Sequence, residues 1–332
     1  MASRSTFLSA ATALAVASVA GPATAAAMPA GLRKPPMLRP GDLVGLVAPA
    51  SPLSADEIAR GIRQVESLGL RTRLGAHARA QNGYLAGTDA QRAADFNAMA
   101  RDGQVRAIFA LRGGYGTMRI LDDLDYHALR ADPKVVLGFS DMTAVLNAVT
   151  VRSGLVTFHG PVASLSSFDA LESAWLRRAL MSHEPIGTLR ADGIARLRGG
   201  RATGPLAGGN LSLVAALSGT PYAVPADGAL LFLEETHEEP YRVDRMLTQL
   251  QLAGDFRNAA GVVFGACSHC DASGPALSLD QIYADTIGSA GRPSITGAKI
   301  GHITDQWVLP IGIRATLDAD AKTLTIAESA VS

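Results

Sequence analysis

Two turns in the first half of the chain combine glycines with a hydroxyl side chain. The turn at 138–142, Gly-Phe-Ser-Asp-Met, places Ser140 directly after a predicted strand. It partly matches the G-x-S-x-G turn that presents a nucleophilic serine at the mouth of a sheet. Met142 stands where that pattern has its last glycine. The alternative is an ordinary helix start, with Ser140 as the N-cap and Asp141 beside the positive end of the helix.

The second turn, at 112–118, has the sequence Arg-Gly-Gly-Tyr-Gly-Thr-Met. Its glycines permit a tight turn that can direct backbone amides at an oxyanion or a carboxylate, so Gly113 and Gly114 are candidate binding residues. Thr117 is a second candidate hydroxyl. The dinucleotide pattern G-x-G-x-x-G fails because Arg119 occupies its last position, and no Gly-Lys-Ser/Thr phosphate loop occurs. We therefore predict no cofactor.

A hydroxyl nucleophile needs a base, and the base needs a partner that orients it. His302 is a candidate base. Glu234 follows four apolar residues of a predicted strand, where a carboxylate is costly unless it is paired. Such a carboxylate could fix the tautomer of a catalytic histidine. His159, after a short strand, and His237, in an acidic segment, are competing histidines.

Two segments could suggest a metal site. The acidic segment 234–239 lacks the HExxH spacing, so a solvated acidic turn is the favoured interpretation. Cys267 and Cys270 form a single CxxC motif, and zinc would need further ligands that no second cysteine pair supplies. A packing pair at a strand end, or a local disulfide, is the favoured interpretation of the two cysteines. We predict no metal.

Predicted strands alternate with predicted helices through the first half of the chain, which indicates an α/β fold with a parallel sheet. Ser54 stands three residues before Glu57, a capping-box pattern that begins a helix. The predicted strands are 43–48, 107–111 and 135–138, and the predicted helices are 54–68, 89–101, one from about 118 and one from 142.

The pattern changes after residue 168. A helix at 169–181 precedes the glycine-dense stretch 199–209, which is typical of a linker or crossover. The later elements are a strand at 229–233, a helix at 241–252, a strand at 261–265 and short strands at 311–314 and 323–326. We predict an N-terminal domain at 28–167, a linker at 168–203 and a C-terminal α/β domain at 204–332, with a cleft between the domains.

Composition limits the class of protein. Of 332 residues, 48% are apolar and 18% charged, which is typical of a globular protein. The 30 basic and 30 acidic residues balance, so we predict no nucleic-acid partner. Arg4, an apolar run at 7–20 and Ala-Thr-Ala at 23–25 indicate a secretory signal at 1–27, with a disordered Ala-rich tail as the alternative. No later run is long enough to span a membrane, so we expect a soluble periplasmic protein.

Six segments in order resemble the LD-carboxypeptidase family, which includes muramoyltetrapeptide carboxypeptidases and related microcin-immunity hydrolases. The resemblance covers about 36–327 and implies a flavodoxin-like first domain, a smaller α/β second domain, a Ser-His-Glu triad and a homodimer. The matching segments are 112–116 (Arg-Gly-Gly-Tyr-Gly), 138–143 (Gly-Phe-Ser-Asp-Met-Thr), 157–161 (Thr-Phe-His-Gly-Pro), 208–212 (Gly-Gly-Asn-Leu-Ser) with 219–222 (Gly-Thr-Pro-Tyr), 231–235 (Leu-Phe-Leu-Glu-Glu), and 301–302 (Gly-His) with 309–312 (Leu-Pro-Ile-Gly).

The resemblance selects the turn at 138–142 as the source of the nucleophile, over the turn at 112–118 (the glycine turn). It implies Ser140 as nucleophile, with Glu234 and His302 as its partners. It also implies that the oxyanion hole uses the amide of Asp141 and an amide of the glycine turn, here that of Gly114.

The implied reaction is cleavage of the L,D-amide bond before terminal D-Ala of murein tetrapeptides. Arg112, Tyr115 and Asn210 are further candidate cleft residues, and Arg112 could pair with the terminal carboxylate. Export is a departure from the family, whose murein-recycling members are typically cytoplasmic. The alternative function is an exported muropeptide- or peptide-binding protein that kept the cleft and lost turnover.

Overall fold

The computed structural model describes residues 27–164, 168 and 170–332. The predicted signal segment therefore lies outside the described residues, apart from Ala27, and so does Ser167 at the predicted domain boundary. No helix in the described part of the chain is long and apolar enough to cross a membrane.

The first half of the chain forms the flavodoxin-like sheet. Its parallel strands lie in the order β5-β4-β3-β1-β2, the strand order of flavodoxin-like folds. The predicted helix from residue 118 is instead a 3₁₀ helix, Thr117–Asp123, followed by a short α-helix. The elements are β1 (Leu43–Val47), α1 (Ala55–Ser67), β2 (Arg71–Leu74), α2 (Asp89–Arg101), β3 (Val105–Ala110), α3 (Tyr126–Ala131), β4 (Val135–Gly138), α4 (Thr143–Ser153) and β5 (Thr157–His159).

Local sequence explains why these elements form. β1 and β4 are short apolar runs with every residue buried, as expected for parallel strands covered by helices on both faces. The predicted capping box is confirmed, because Ser54 accepts from the Glu57 amide while the Glu57 side chain accepts from the Ser54 amide. β1 is followed by α1 and β4 by α4, so these two helices begin at the carboxyl edge of the sheet, where the candidate site residues lie.

The second half of the chain forms a mixed sheet in the order β6-β14-β13-β8-β9-β10-β11-β7. Strands β8 to β11 run parallel, and antiparallel strands flank them on both sides. The elements are α5 (Ala170–Leu180), β6 (Gly187–Leu189), β7 (Ala195–Arg198), β8 (Arg201–Asn210), α6 (Leu211–Leu217), β9 (Leu230–Thr236), α7 (Pro240–Ala253), α8 (Asp255–Asn258), β10 (Gly261–Ser268), α9 (Leu279–Thr286), β11 (Ser294–Thr296), β12 (Leu309–Ile311), β13 (Arg314–Asp318) and β14 (Thr323–Ile326).

The glycine-dense stretch is a central strand and not a linker. The segment 168–203 contributes α5, β6, β7 and the start of β8, and β8 pairs with β9 on one side and β13 on the other. The glycines permit close backbone approach, since a Cβ on Gly208 would lie 1.9 Å from the carbonyl oxygen of Phe232. The second sheet, with eight strands among the described residues, is the larger of the two.

The two sheets share one apolar core, and a separate apolar cluster that includes Leu231 and Leu233 belongs to the second sheet. β12, from the predicted C-terminal domain, pairs antiparallel with β5 at the edge of the first sheet. A single cluster of buried apolar side chains includes Phe158 of the first sheet and Phe232 of the second. Asn147 on α4 donates a hydrogen bond to the Gly208 carbonyl at 2.9 Å, which joins the first sheet's helix to β8. The Ser140 turn, directly before α4, is thereby fixed relative to β8 and β9.

The close approach of β8 and β9 predicts a strong effect of a single methyl group. Gly208 has a φ angle of +131°, so Gly208→Ala introduces both backbone strain and a clash with β9. We expect the free energy of unfolding in urea to fall by at least about 2 kcal/mol. The matched control is Gly103→Ala, at an exposed position with open space, and its effect should stay within about 0.5 kcal/mol. Equal stability of the two variants would contradict this packing.

Candidate functional site

Ser140 lies at a sharp turn between β4 and α4. Its φ angle is +61°, a left-handed conformation that non-glycine residues rarely adopt. Gly138 makes room for the turn, because a Cβ there would lie 2.8 Å from Cγ of Met142. The alternative N-cap role is not observed: Phe139 is the N-cap of the 3₁₀ helix that begins at Ser140, and neither this helix nor α4 has a side-chain cap. Ser140 is partly exposed between buried neighbours.

The glycine turn after β3 packs directly against Ser140. A Cβ on Gly113 would lie 2.9 Å from Cβ of Ser140, 3.1 Å from its Oγ, and 3.3 Å from the amide nitrogen of Asp141. Glycine therefore permits the two turns to approach this closely. Gly114 has a φ angle of +114° and lies against Ser51. The predicted oxyanion residues, Gly114 and Asp141, thus belong to turns that adjoin each other.

Buried hydrogen bonds join the two turns. Oδ2 of Asp141 accepts from the amide of Thr117 at 2.8 Å, and Oγ1 of Thr117 donates to the Asp141 carbonyl at 2.5 Å. Burial raises the pKa of the Asp141 carboxyl, although hydrogen bonds from Thr117 oppose this. Arg92, whose side chain is fully buried, donates to the Gly116 carbonyl at 2.9 Å and pairs with Asp89. Thr117, the second candidate hydroxyl, is therefore buried, and its amide and hydroxyl both donate hydrogen bonds to Asp141. We call Arg92, Thr117 and Asp141 the framework of the two turns.

Glu234 and His302 form a hydrogen-bonded pair beside the Ser140 turn. Nδ1 of His302 lies 2.8 Å from Oε2 of Glu234, whose side chain is fully buried, while 21% of the His302 side chain is exposed. Gly301 makes room for the pair, since a Cβ there would lie 2.5 Å from Oε2. The His302 ring packs on Phe139, the residue before Ser140, with ring centroids 4.6 Å apart. When Nδ1–H is donated to the carboxylate, Nε2 is left as a proton acceptor.

The predicted solvated acidic turn is wrong for its first two residues. Glu234 and Glu235 are both buried, because β9 continues through them. Glu235 accepts from the amide of Ser212 at 2.8 Å and from Nδ2 of Asn210 at 3.1 Å, and burial raises the pKa of its carboxyl. Asn210, a predicted cleft residue, is 4% exposed, and its backbone N–H donates to Oγ1 of Thr143 at 2.9 Å. Asn210 therefore joins β9 to α4.

Arg112 and Tyr115, the other predicted cleft residues, are both accessible. Nη1 of Arg112 donates to the Pro52 carbonyl at 3.1 Å and lies 3.7 Å from Oε1 of Glu57. A substrate carboxylate would therefore compete with Glu57 for this guanidinium. The Tyr115 ring is half exposed and packs edge-on against the exposed ring of Tyr84, with centroids 5.6 Å apart.

His159, which the sequence offers only as an alternative to His302, lies in the same site. It ends β5, is fully buried, and packs edge-on against Phe139 and Phe232. Neither ring nitrogen has a hydrogen-bond partner among the described residues. Burial lowers the pKa of His159 to about 4, which the charge of Glu234 opposes only in part. The available sequence signal is its place at the carboxyl end of a parallel strand.

The two cysteines form a disulfide, one of the two predicted alternatives. Between Cys267 and Cys270, Oγ of Ser268 donates to the backbone carbonyl of His302 at 3.0 Å. The bridge therefore lies at the end of β10, next to the segment that holds the candidate base. Within the described ranges, no group of three or more His, Cys, Asp and Glu side chains is arranged to hold a metal ion.

The buried, neutral His159 predicts a loss of stability in acid. Its pKa is about 4 in the folded protein against an ordinary 6.5, so between these values the unfolded chain binds a proton that the folded protein does not bind. The free energy of unfolding should therefore fall as the pH is lowered from 6.5 to about 4, and His159→Phe should remove this part of the decrease. Urea titrations at constant ionic strength measure the slope, with the exposed His127→Gln as control. An unchanged slope in His159→Phe would contradict the prediction.

Two family descriptions match the chain. Residues 44–160 match the LD-carboxypeptidase N-terminal domain, and residues 203–317 match the LD-carboxypeptidase C-terminal domain. The first match contains the Ser140 turn and the second contains Glu234 and His302.

Individual relatives agree with these matches over most of the chain. A probable murein peptide carboxypeptidase of Bacillus subtilis is 40% identical over 305 residues, which cover 90% of this chain and 95% of the relative. The murein tetrapeptide carboxypeptidase of Pseudomonas aeruginosa is 33% identical over 287 residues, 83% of this chain and 93% of that protein. The crystal structure of an MccF-like protein from Bacillus anthracis superposes with a TM-score of 0.81 at 27% identity, covering 89% and 99% of the two chains. The chain therefore belongs to the LD-carboxypeptidase family of serine peptidases.

Proposed function

We propose that this protein is an L,D-carboxypeptidase that releases terminal D-Ala from murein tetrapeptides through Ser140, His302 and Glu234. The principal supporting observation is the 2.8 Å contact between Nδ1 of His302 and the buried Glu234, with the imidazole ring packed beside the Ser140 turn. This arrangement provides a hydroxyl on a strained turn, a base and a group that orients the base. These are the parts that acyl transfer through a serine requires.

In the acylation step, Nε2 of His302 takes the hydroxyl proton while Oγ of Ser140 attacks the carbonyl carbon before D-Ala. The carbonyl oxygen becomes an oxyanion that the amides of Gly114 and Asp141 stabilise; losing one such donor typically costs about 10²–10³-fold in rate. When the C–N bond breaks, His302 returns the proton to the leaving amine, and D-Ala departs. Glu234 keeps its charge throughout and stabilises the imidazolium.

In the deacylation step, His302 accepts a proton from water as the water oxygen attacks the ester carbonyl. Collapse of the second tetrahedral intermediate breaks the ester bond, returns the proton to Ser140 and releases the tripeptide. The framework of Arg92, Thr117 and Asp141 holds the glycine turn against the nucleophile turn in both steps. These three residues therefore keep the amide of Gly114 in a fixed position relative to the amide of Asp141.

The choice of substrate is supported by the names of two relatives, a probable murein peptide carboxypeptidase and a murein tetrapeptide carboxypeptidase. The residues of this chain that could meet a carboxy-terminal residue are Arg112 and Tyr115, both accessible on the glycine turn. We propose that the terminal carboxylate displaces Glu57 from Arg112, because a guanidinium can bind a carboxylate through two parallel hydrogen bonds.

The direct test uses Ser140→Ala and purified murein tetrapeptide. Mass spectrometry should detect tripeptide and D-Ala with the wild-type protein, and kcat should fall at least about 10³-fold in the variant because the nucleophile is lost. The matched control is Ser67→Ala at the C-terminal end of α1, which lies at the opposite edge of the first sheet. That variant should keep wild-type turnover.

Three outcomes would contradict the proposal. Unchanged D-Ala release by Ser140→Ala would remove this serine from the reaction. Complete loss of turnover in a folded Thr117→Ala, with Ser140→Ala active, would favour the glycine turn as the source of the nucleophile. Thermal stabilisation by the tetrapeptide without cleavage would support the alternative, a muropeptide-binding protein.

We further propose that the protein acts after export to the periplasm, where its substrate is assembled into the wall. The disulfide between Cys267 and Cys270 supports this location, because such bonds persist in oxidising compartments. Cell fractionation and N-terminal sequencing test it: the mature chain should begin near residue 28 and be found in the periplasmic fraction. An intact Met1 in the cytoplasmic fraction would contradict export. The homodimer implied by the family resemblance stays a prediction.

A further inference from the structure

His159 places a polar ring in an apolar, fully enclosed part of the site. It is 0% exposed, and both ring nitrogens lack a hydrogen-bond partner among the described residues. A buried polar group left without a partner typically costs about 1–3 kcal/mol. Such groups are rare in folded proteins, and each calls for an explanation.

A second unpartnered buried atom belongs to Glu234. Its Oε2 faces His302, but Oε1 is buried with no hydrogen-bond partner in the part of the chain that the structure describes. Phe232 and Glu234 are two residues apart on β9, so their side chains share one face of the strand. The His159 ring contacts Phe232 on that face, with centroids 5.2 Å apart.

His159 also interacts electrostatically with both members of the Glu234–His302 pair. The negative charge of Glu234 favours protonation of His159, and the positive charge that His302 can acquire disfavours it. Burial, which acts in the same direction as His302, outweighs the effect of Glu234 and lowers the pKa of His159 to about 4, so the ring is neutral at ordinary pH. A neutral imidazole has one N–H donor and one acceptor nitrogen. Oε1 of Glu234 has no hydrogen-bond donor among the described residues, and the neutral His159 ring carries one N–H that has no acceptor there.

We propose that His159 is a positioning residue for the Glu234–His302 pair, donating a hydrogen bond to Oε1 of Glu234 through one buried water. The inference rests on the proposed function, because Glu234 and His302 are taken to act on Ser140. A hydrogen bond to Oε1 fixes the rotation of the carboxylate, which keeps Oε2 directed at Nδ1 of His302. In metal sites, groups that hold a ligand side chain in orientation typically change activity about 10–100-fold when removed, and we expect an effect of the same order for the orientation of Glu234.

Two substitutions separate this role from simple packing. His159→Phe keeps an aromatic ring against Phe139 and Phe232 but has no donor, whereas His159→Gln keeps an N–H donor and loses the ring. The proposal predicts that kcat falls about tenfold or more in His159→Phe, with KM little changed. It predicts that His159→Gln keeps more of the wild-type kcat than His159→Phe. A packing role predicts the reverse order.

A spectroscopic measurement tests the same proposal without substrate. The downfield proton NMR signal of the His302–Glu234 hydrogen bond should shift or broaden in His159→Phe and stay near its wild-type position in His159→Gln. Thermal unfolding shows that each variant is folded. Equal or higher kcat in His159→Phe than in His159→Gln, equal losses in both variants, or an unchanged signal in His159→Phe would each overturn the proposal.

These results distinguish the two levels of inference. If the wild-type protein releases no D-Ala, the proposed function fails, while the NMR comparison still reports whether His159 positions the pair. If D-Ala is released and depends on Ser140, but the two His159 variants do not differ as predicted, the function stands and only the positioning role is lost.

Discussion

Glu234 places a carboxylate inside the protein, and the hydrogen bond from His302 compensates for taking that charge out of water. Removing one member of such a buried pair typically costs about 3–5 kcal/mol, because the other charge is left without a partner. Several features follow from this constraint. Gly301 must have no side chain, since a Cβ would occupy the space of Oε2. The His302 ring must pack against Phe139, and this packing sets it beside Ser140.

The core that the two sheets share brings segments that are distant in the sequence together at one site. Ser140 follows a strand of the first sheet, whereas Glu234 lies on a strand of the second sheet. The two strands keep a fixed relation because α4, which begins three residues after Ser140, is hydrogen-bonded to β8, and β8 pairs with β9. The return of β12 to the edge of the first sheet adds a second connection. These contacts fix the position of Ser140 relative to Glu234, although the two residues belong to different sheets.

Much of the architecture follows from local sequence. Apolar runs between helices predict the parallel sheet, and the capping pattern at Ser54 predicts the start of α1 correctly. Local patterns fail where distant chain segments decide the outcome. The glycine-dense stretch that contains Gly208 suggests a linker by its composition. Gly208 instead permits close approach to the backbone of β9 at Phe232, 24 residues further along the chain. Likewise, the role of Asn210 in joining β9 to α4 and the burial of His159 result from contacts between the two sheets, which residue spacing does not reveal.

The most direct measurement of the catalytic claim is rapid acid quenching of the wild-type protein with murein tetrapeptide, followed by mass analysis of the protein. A serine peptidase forms an acyl-enzyme with its substrate during each turnover. We expect a mass increase equal to the acyl group of the tripeptide, and digestion should assign it to the peptide that contains Ser140. Turnover with the adduct on a different residue, or with water attacking the amide directly and no adduct at any quench time, would contradict the catalytic role of Ser140.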